Sequence, residues 1–169
     1  GATTLGAHTY NVIVTSSTGH TANVTVSYQV NADPVVQGNG SLVVTGIDAV
    51  RSFATADNTF ENGWKWTFHV TVPTSETTFK MKFADFVSGS NSVLATDNIR
   101  IYSTQSSNAS SAGSAFTISA ADTYSGDMTL NSDLSSGTAG RQIDVTVEVK
   151  VPAATAGGSY STSYGVKSL

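Results

Sequence analysis

The run Asp144-Val145-Thr146-Val147-Glu148-Val149-Lys150-Val151 sets a valine at every second position and a polar or charged residue between each pair. Successive side chains of a strand point to opposite faces, so such a run buries one side and wets the other. The same period of two returns at Trp64–Val72 and in Phe79, Met81 and Phe83, and no helical stretch competes with it. Charged residues make up only 12% of the chain, against about 25% in ordinary soluble domains. Thr, Val, Ser, Gly and Asn fill the difference, which is a strand-and-turn composition. These features predict an all-β fold: an antiparallel β-sandwich, immunoglobulin-like or jelly-roll-like, of about eight strands preceded by a β-hairpin.

The hairpin is expected at the start of the chain. Tyr10, Val12 and Val14 alternate on one strand, Ser16-Ser17-Thr18-Gly19 supplies a turn, and Val24, Val26, Tyr28 and Val30 alternate on the return. The block LGAHTYNVIVTSSTGHTANVTVSYQV resembles the closing hairpin of bacterial immunoglobulin-like surface-protein repeats. In those repeats a Gly-x-His/Tyr-Thr-Tyr strand leads through a short polar turn into a Val-Thr-Val strand. The resemblance implies that residues 1–30 are the C-terminal hairpin of such a repeat, or strands that pack on the next domain. Asn31-Ala32-Asp33-Pro34 is the expected boundary, because Pro34 biases Asp33 toward extended backbone. Residues 34–169 then form the sandwich domain. Within it, Gly63–Tyr102 and the closing Gly-Ser-Tyr-Ser-Thr-Ser-Tyr-Gly-Val resemble a β-sandwich module of large secreted bacterial proteins, a likeness that carries no activity with it.

In the sandwich, strands are predicted at Ser41–Val44, Trp64–Val72, Thr78–Phe86, Asn98–Ser103, Ala115–Ser119, Met128–Leu130, Gln142–Val151 and Ser159–Val166, with a short helical turn inside Asn91–Asp97. The closing strand is uncharged and free of proline, the devices that usually blunt an exposed edge. An internal strand closing the sheet is the expected reading. The sharper one joins it to the hairpin as a second incomplete edge, allowing head-to-tail strand addition into an open filament.

Candidate sites are sparse. Trp64, Trp66, Phe68, Val70 and Val72 share one strand face and read as core; paired indoles at this spacing also suit a sugar-stacking surface, to which Tyr102, Tyr124 and Tyr160 could contribute. Lys65, Lys80, Lys82 and Lys150 alternate outward. His8, His20 and His69 lie in separate segments with no acidic residue at ligand spacing, so a shared metal is not expected. No Gly-x-Ser-x-Gly elbow marks a nucleophile. The loop Asp57-Asn58-Thr59-Phe60-Glu61-Asn62 gathers hard oxygen donors, and Asp57, Asn58, Glu61 and Asp97 are the candidate calcium ligands. Asp and Asn also form turns by capping their own backbone, and that reading leads.

The net charge of −4 and eight scattered Lys and Arg residues exclude a nucleic-acid partner. No apolar run is long enough to insert into a membrane, and there is no cysteine. The expected protein is a non-enzymatic, extracellular structural or adhesive module of a bacterial surface protein. A carbohydrate-binding module and a filament subunit assembled by β-strand complementation are the alternatives. Its partners are then neighbouring repeats or identical subunits through sheet edges, or glycans; no cofactor is required, with Ca²⁺ the one candidate.

Overall fold

The computed structural model describes residues 6–15, 21–30, 40–132, 136–137 and 140–169. It contains two compact units, Gly1–Gln37 and Gly38–Leu169. The first holds β1 (Gly6–Thr15) and β2 (Thr21–Val30), an antiparallel pair in continuous register from Gly6 opposite Val30 to Thr15 opposite Thr21. The turn expected at Ser16–Gly19, the boundary at Asn31–Pro34 and the side chains of the hairpin lie outside the described residues.

The second unit is all β among its described residues. Its strands are β3 (Val43–Arg51), β4 (Trp64–Val72), β5 (Thr78–Phe83), β6 (Phe86–Ser88), β7 (Asn91–Val93), β8 (Ile99–Tyr102), β9 (Phe116–Thr117), β10 (Met128–Thr129), β11 (Ser136–Gly137), β12 (Gly140–Val149) and β13 (Tyr164–Ser168). One sheet runs β3-β4-β12-β8-β9, with β11 paired to β12; the other runs β10-β5-β13, and β6-β7 forms a separate hairpin. The two sheets face each other across one core, an antiparallel β-sandwich.

The alternation explains the layers. Antiparallel pairing of β4 with β12 sets Phe68 opposite Val145 and Val70 opposite Ile143, so four buried side chains from two strands fall on one face. Phe79, Met81 and Phe83 of β5 are buried on the facing sheet, as their spacing predicts. Each such side chain stabilises the fold by about 1.5–3 kcal/mol.

The opposite face of the large sheet is charged. Glu148 of β12 lies between Lys65 of β4 and Arg100 of β8. Its carboxylate accepts from Lys65 Nζ at 3.0 Å, from Arg100 Nε at 2.7 Å and Nη2 at 2.6 Å, and from the Tyr102 hydroxyl at 3.2 Å. The Arg100 guanidinium in turn sits 4.2 Å over the Phe60 ring. Thus an aromatic from the β3–β4 loop packs on one member of the ion cluster, and Glu148 at its centre is buried.

Several expectations are corrected. The first sandwich strand, expected at Ser41–Val44, runs on to Arg51. Irregularities between Val44 and Gly46 and between Ala49 and Arg51 break its alternation, which hid its length from pattern reading. The strand expected at Thr78–Phe86 divides at Ala84-Asp85, where Ala84 N–H donates to Ser163 and Asp85 accepts from Ala95 N–H. The helical turn expected in Asn91–Asp97 is instead β7 followed by a non-helical turn, with Val93 paired to Phe86. The closing strand is not internal: β13 pairs with β5 alone among the described residues and lies at the sheet edge. It also begins later than expected, at Tyr164 rather than Ser159. The preceding residues are held by single bridges such as Ser161 to Val87.

Glu148 yields a pH-dependent test. Burial opposes its ionisation, but hydrogen bonds from Lys65 and Arg100 outweigh that and hold the carboxyl below the ordinary glutamate value of 4.5. A depressed folded-state pKa contributes stability above the unfolded value and loses it as pH falls through the folded one. Glu148→Gln should therefore cost about 1–3 kcal/mol at neutral pH. In urea melts the gap to wild type should close as pH drops below the depressed value.

Candidate functional site

Among the described residues, a concave feature follows the open edge of the sandwich, where β3 and β13 end their respective sheets. Three hollows line up there. The first, about 240 Å³, is walled by Ile47, Trp66, Phe68, Phe83, Phe86 and Tyr164 together with Tyr160–Thr162. The second, about 280 Å³, shares Trp66, Phe86 and Tyr160 with it and adds Trp64, Phe53 and Ser159. The third, about 180 Å³, shares Trp64, Phe53 and Tyr160 with the second and reaches Val151 and Thr155. Shared walls make them one trough.

Its floor is the N-terminal half of β4. Phe68, Val70 and Val72 are fully covered, whereas Trp64 and Trp66 on the same strand face are only half-buried. All five side chains face the core as the sequence predicts, but the two indoles pack against its margin and are less completely covered. They lie beyond the end of β5, whose register with β13 stops at Phe83 opposite Tyr164. What packs on them is Phe86, its ring 5.4 Å from Trp64 and 6.1 Å from Trp66, and Tyr160, 5.6 Å from Trp64.

The wall opposite β3 is residues 156–163. Tyr160 donates its hydroxyl to the Ala156 carbonyl at 2.8 Å, Val87 and Ser161 exchange backbone hydrogen bonds, and Thr162 Oγ1 donates to the Ala84 carbonyl. On the β3 side Phe53 is 88% exposed, and Ile47 is 43% exposed. A phenyl ring this open, over a trough of half-covered aromatics, is the sort of exposed apolar patch that marks binding surfaces.

Gly63 sets the entry into this floor. A Cβ there would collide with the Val149 carbonyl oxygen and lie 3.0 Å from Lys150 Cα. Arg51 clamps the same point, its guanidinium donating to the Gly63 carbonyl and, at 2.6 Å, to that of Phe60.

Of the four residues proposed for glycan stacking, two meet: Trp64 and Tyr160. Tyr102 is on the reverse face of the large sheet, bound to Glu148. Tyr124 lies beside Lys82, whose Nζ is 5.4 Å over its ring, outside the smaller sheet. Phe53 was missed. The signal available was a lone phenylalanine in the polar stretch Arg51-Ser52-Phe53-Ala54-Thr55.

The candidate calcium ligands divide similarly. Asp57 Oδ1 accepts from Thr59 N–H at 3.0 Å and Thr59 Oγ1 at 2.7 Å, and Oδ2 accepts from Asn62 Nδ2 at 2.7 Å. These bonds, that from Asn62 foremost, hold its carboxyl below the usual aspartate range. Asn58, at φ 60°, donates its N–H to the Val151 carbonyl, and Glu61 is exposed in the same loop. Asp97 stands in a different loop, its N–H on the Ile118 carbonyl. Among the described residues no group of three His, Cys, Asp or Glu side chains is placed to hold a metal ion. No helix among them is long and apolar enough to cross a membrane.

One constellation escaped the sequence reading altogether. His69 of β4 bridges Asp144 of β12 (Nδ1–Oδ1 2.7 Å) and Asp48 of β3 (Nε2–Oδ2 3.1 Å). The carboxylates are distant in sequence, and only the strand register brings them together. The hydrogen bonds to Asp48 and then Asp144 raise the histidine above its ordinary value of 6.5.

Two tests follow. Gly63→Ala should destabilise the sandwich by about 1–3 kcal/mol through overpacking, read as a lower denaturant midpoint. The His69 bridge contributes its stabilisation fully below pH 6.5 and loses it as pH rises through the elevated folded value. The midpoint advantage of wild type over His69→Gln should thus shrink on the alkaline side, and an advantage independent of pH would refute the bridge.

No family model and no curated protein matches the chain. One solved structure, from work on the promiscuous specificity of carbohydrate-binding modules of the β-sandwich superfamily, aligns with 97% of this chain and 74% of its own. The identity is 17% and the TM-score 0.27.

Proposed function

We propose that the chain is a non-catalytic, extracellular adhesive module that binds glycan in the trough at the open edge of its sandwich. The observation that supports this reading most directly is the trough's aromatic lining. Trp64, Trp66 and Tyr160 are half-buried beside the far more exposed Phe53. Sugar rings present apolar C–H faces and a rim of hydroxyls, so they suit concave sites that combine aromatic faces with a few polar groups. Ser52 and Ser159 bring exposed hydroxyls to the same hollow. The floor is a strand of the main sheet, and rigid elements hold a binding site better than free loops do.

Catalysis has no part in this reading. Glycoside hydrolysis uses paired carboxyl groups flanking the bond, and the residues lining the trough carry none. Nor does the reading call on calcium, since the Asp57 carboxylate is already engaged by Thr59 and Asn62.

The test is a pull-down on insoluble polysaccharides combined with intrinsic tryptophan fluorescence during titration with soluble ones. Binding should shift the emission of the indoles. Phe53→Ala, which removes a ring that is already exposed, should leave the melting profile unchanged and weaken binding by about tenfold. Binding that survives both Phe53→Ala and Trp64→Ala in folded protein would move the site elsewhere.

A further inference from the structure

The trough also constrains which glycan it can hold. Resting on the glycan-binding reading, we infer that the ligand is an internal stretch of a single, uncharged polysaccharide chain.

Three features carry this. The first is charge. None of the residues walling the three hollows is acidic, basic or histidine. The charged residues of the floor strand point to the other face of the sheet, where Lys65 joins Arg100 in neutralising Glu148 and His69 bridges two aspartates. A uronate or sulfate entering the trough would shed water with no cation to replace it, which is costly. The net charge of −4 adds long-range repulsion.

The second feature is continuity. The hollows share Tyr160 throughout, with Trp66 and Phe86 linking the first pair and Trp64 and Phe53 the second. A ligand can therefore extend past each aromatic into the next hollow, which favours a chain over a terminal sugar.

The third is tilt. Trp64 is inclined 39° to Trp66 and 46° to Tyr160. Rings inclined in this way do not make one flat platform. They cannot all lie against a crystalline polysaccharide surface at once, whereas a single flexible chain can turn to meet each in succession.

The experiment is a calorimetric and fluorescence panel on the whole chain. It uses soluble neutral polysaccharides (β-glucan, xylan, mannan, amylose), soluble acidic ones (polygalacturonate, alginate), crystalline cellulose, and a disaccharide-to-hexasaccharide series of whichever neutral polymer binds. Neutral polymers should bind, with affinity rising about tenfold from disaccharide to hexasaccharide and unaltered by added salt. Acidic polymers should bind about tenfold more weakly or not at all. Phe53→Ala should flatten the length dependence, and Trp64→Ala provides a second variant. A preference for acidic polymers, salt-sensitive affinity, equal binding of the disaccharide, or retention on crystalline cellulose alone would overturn this inference while leaving glycan binding intact. Failure of every polysaccharide to bind would overturn both.

Discussion

The pairing of β4 with β12 is the constraint on which the sandwich rests. Its register from Trp64 opposite Val149 to Val72 opposite Arg141 makes two amphipathic strands into one two-faced plate. One face supplies Phe68, Val70, Ile143, Val145 and Val147 to the core. The other gathers Lys65, His69, Asp144 and Glu148. Because strand side chains alternate strictly, both faces are set by one choice of register, and a slip by one residue would exchange them.

From that plate the remaining structure follows by covering. The smaller sheet brings Phe79, Met81 and Phe83 down on the apolar side but does not extend over the whole of β4. The uncovered part is where Trp64 and Trp66 lie, and residues 156–163 fill only one flank of it. The other flank is β3, an edge strand with two register irregularities. Such irregularities bend and twist an edge, which discourages another chain from pairing with it. The trough is thus the region that a small second sheet leaves incompletely roofed. On the reverse face, Phe60 lies 4.2 Å from the Arg100 guanidinium, and Glu148 with Lys65 and Arg100 ties three strands together.

How much of this was legible in the sequence depended on whether a feature was local. Trp64–Val72 reads as a strand from its own residues, and its observed bounds coincide with those expected. Phe79, Met81 and Phe83 likewise announce a buried row by spacing alone. The length of β3 was hidden because the register skips Thr45 and Val50 and so interrupts its period. The incomplete cover of Trp66 could not be read at all, since it depends on where β5 and β13 stop. Trp64 and Tyr160 were both singled out as stacking residues, but that they meet while Tyr102 and Tyr124 face elsewhere is a property of topology. The link of His69 to Asp48 and Asp144 is the extreme case: two cross-strand neighbours, invisible until the sheet order is known.

Gly63 and the residues after it carry one more implication. Along β4, indoles at 64 and 66 alternate with a lysine at 65 that serves the reverse-side ion cluster. The two sets share a backbone but no side chain. Replacements among the aromatics can therefore drift without disturbing the electrostatic staple, and the staple can adapt to a new ionic milieu without reshaping the cleft. Insertions and deletions have no such freedom, because a single added residue would turn both surfaces inside out together.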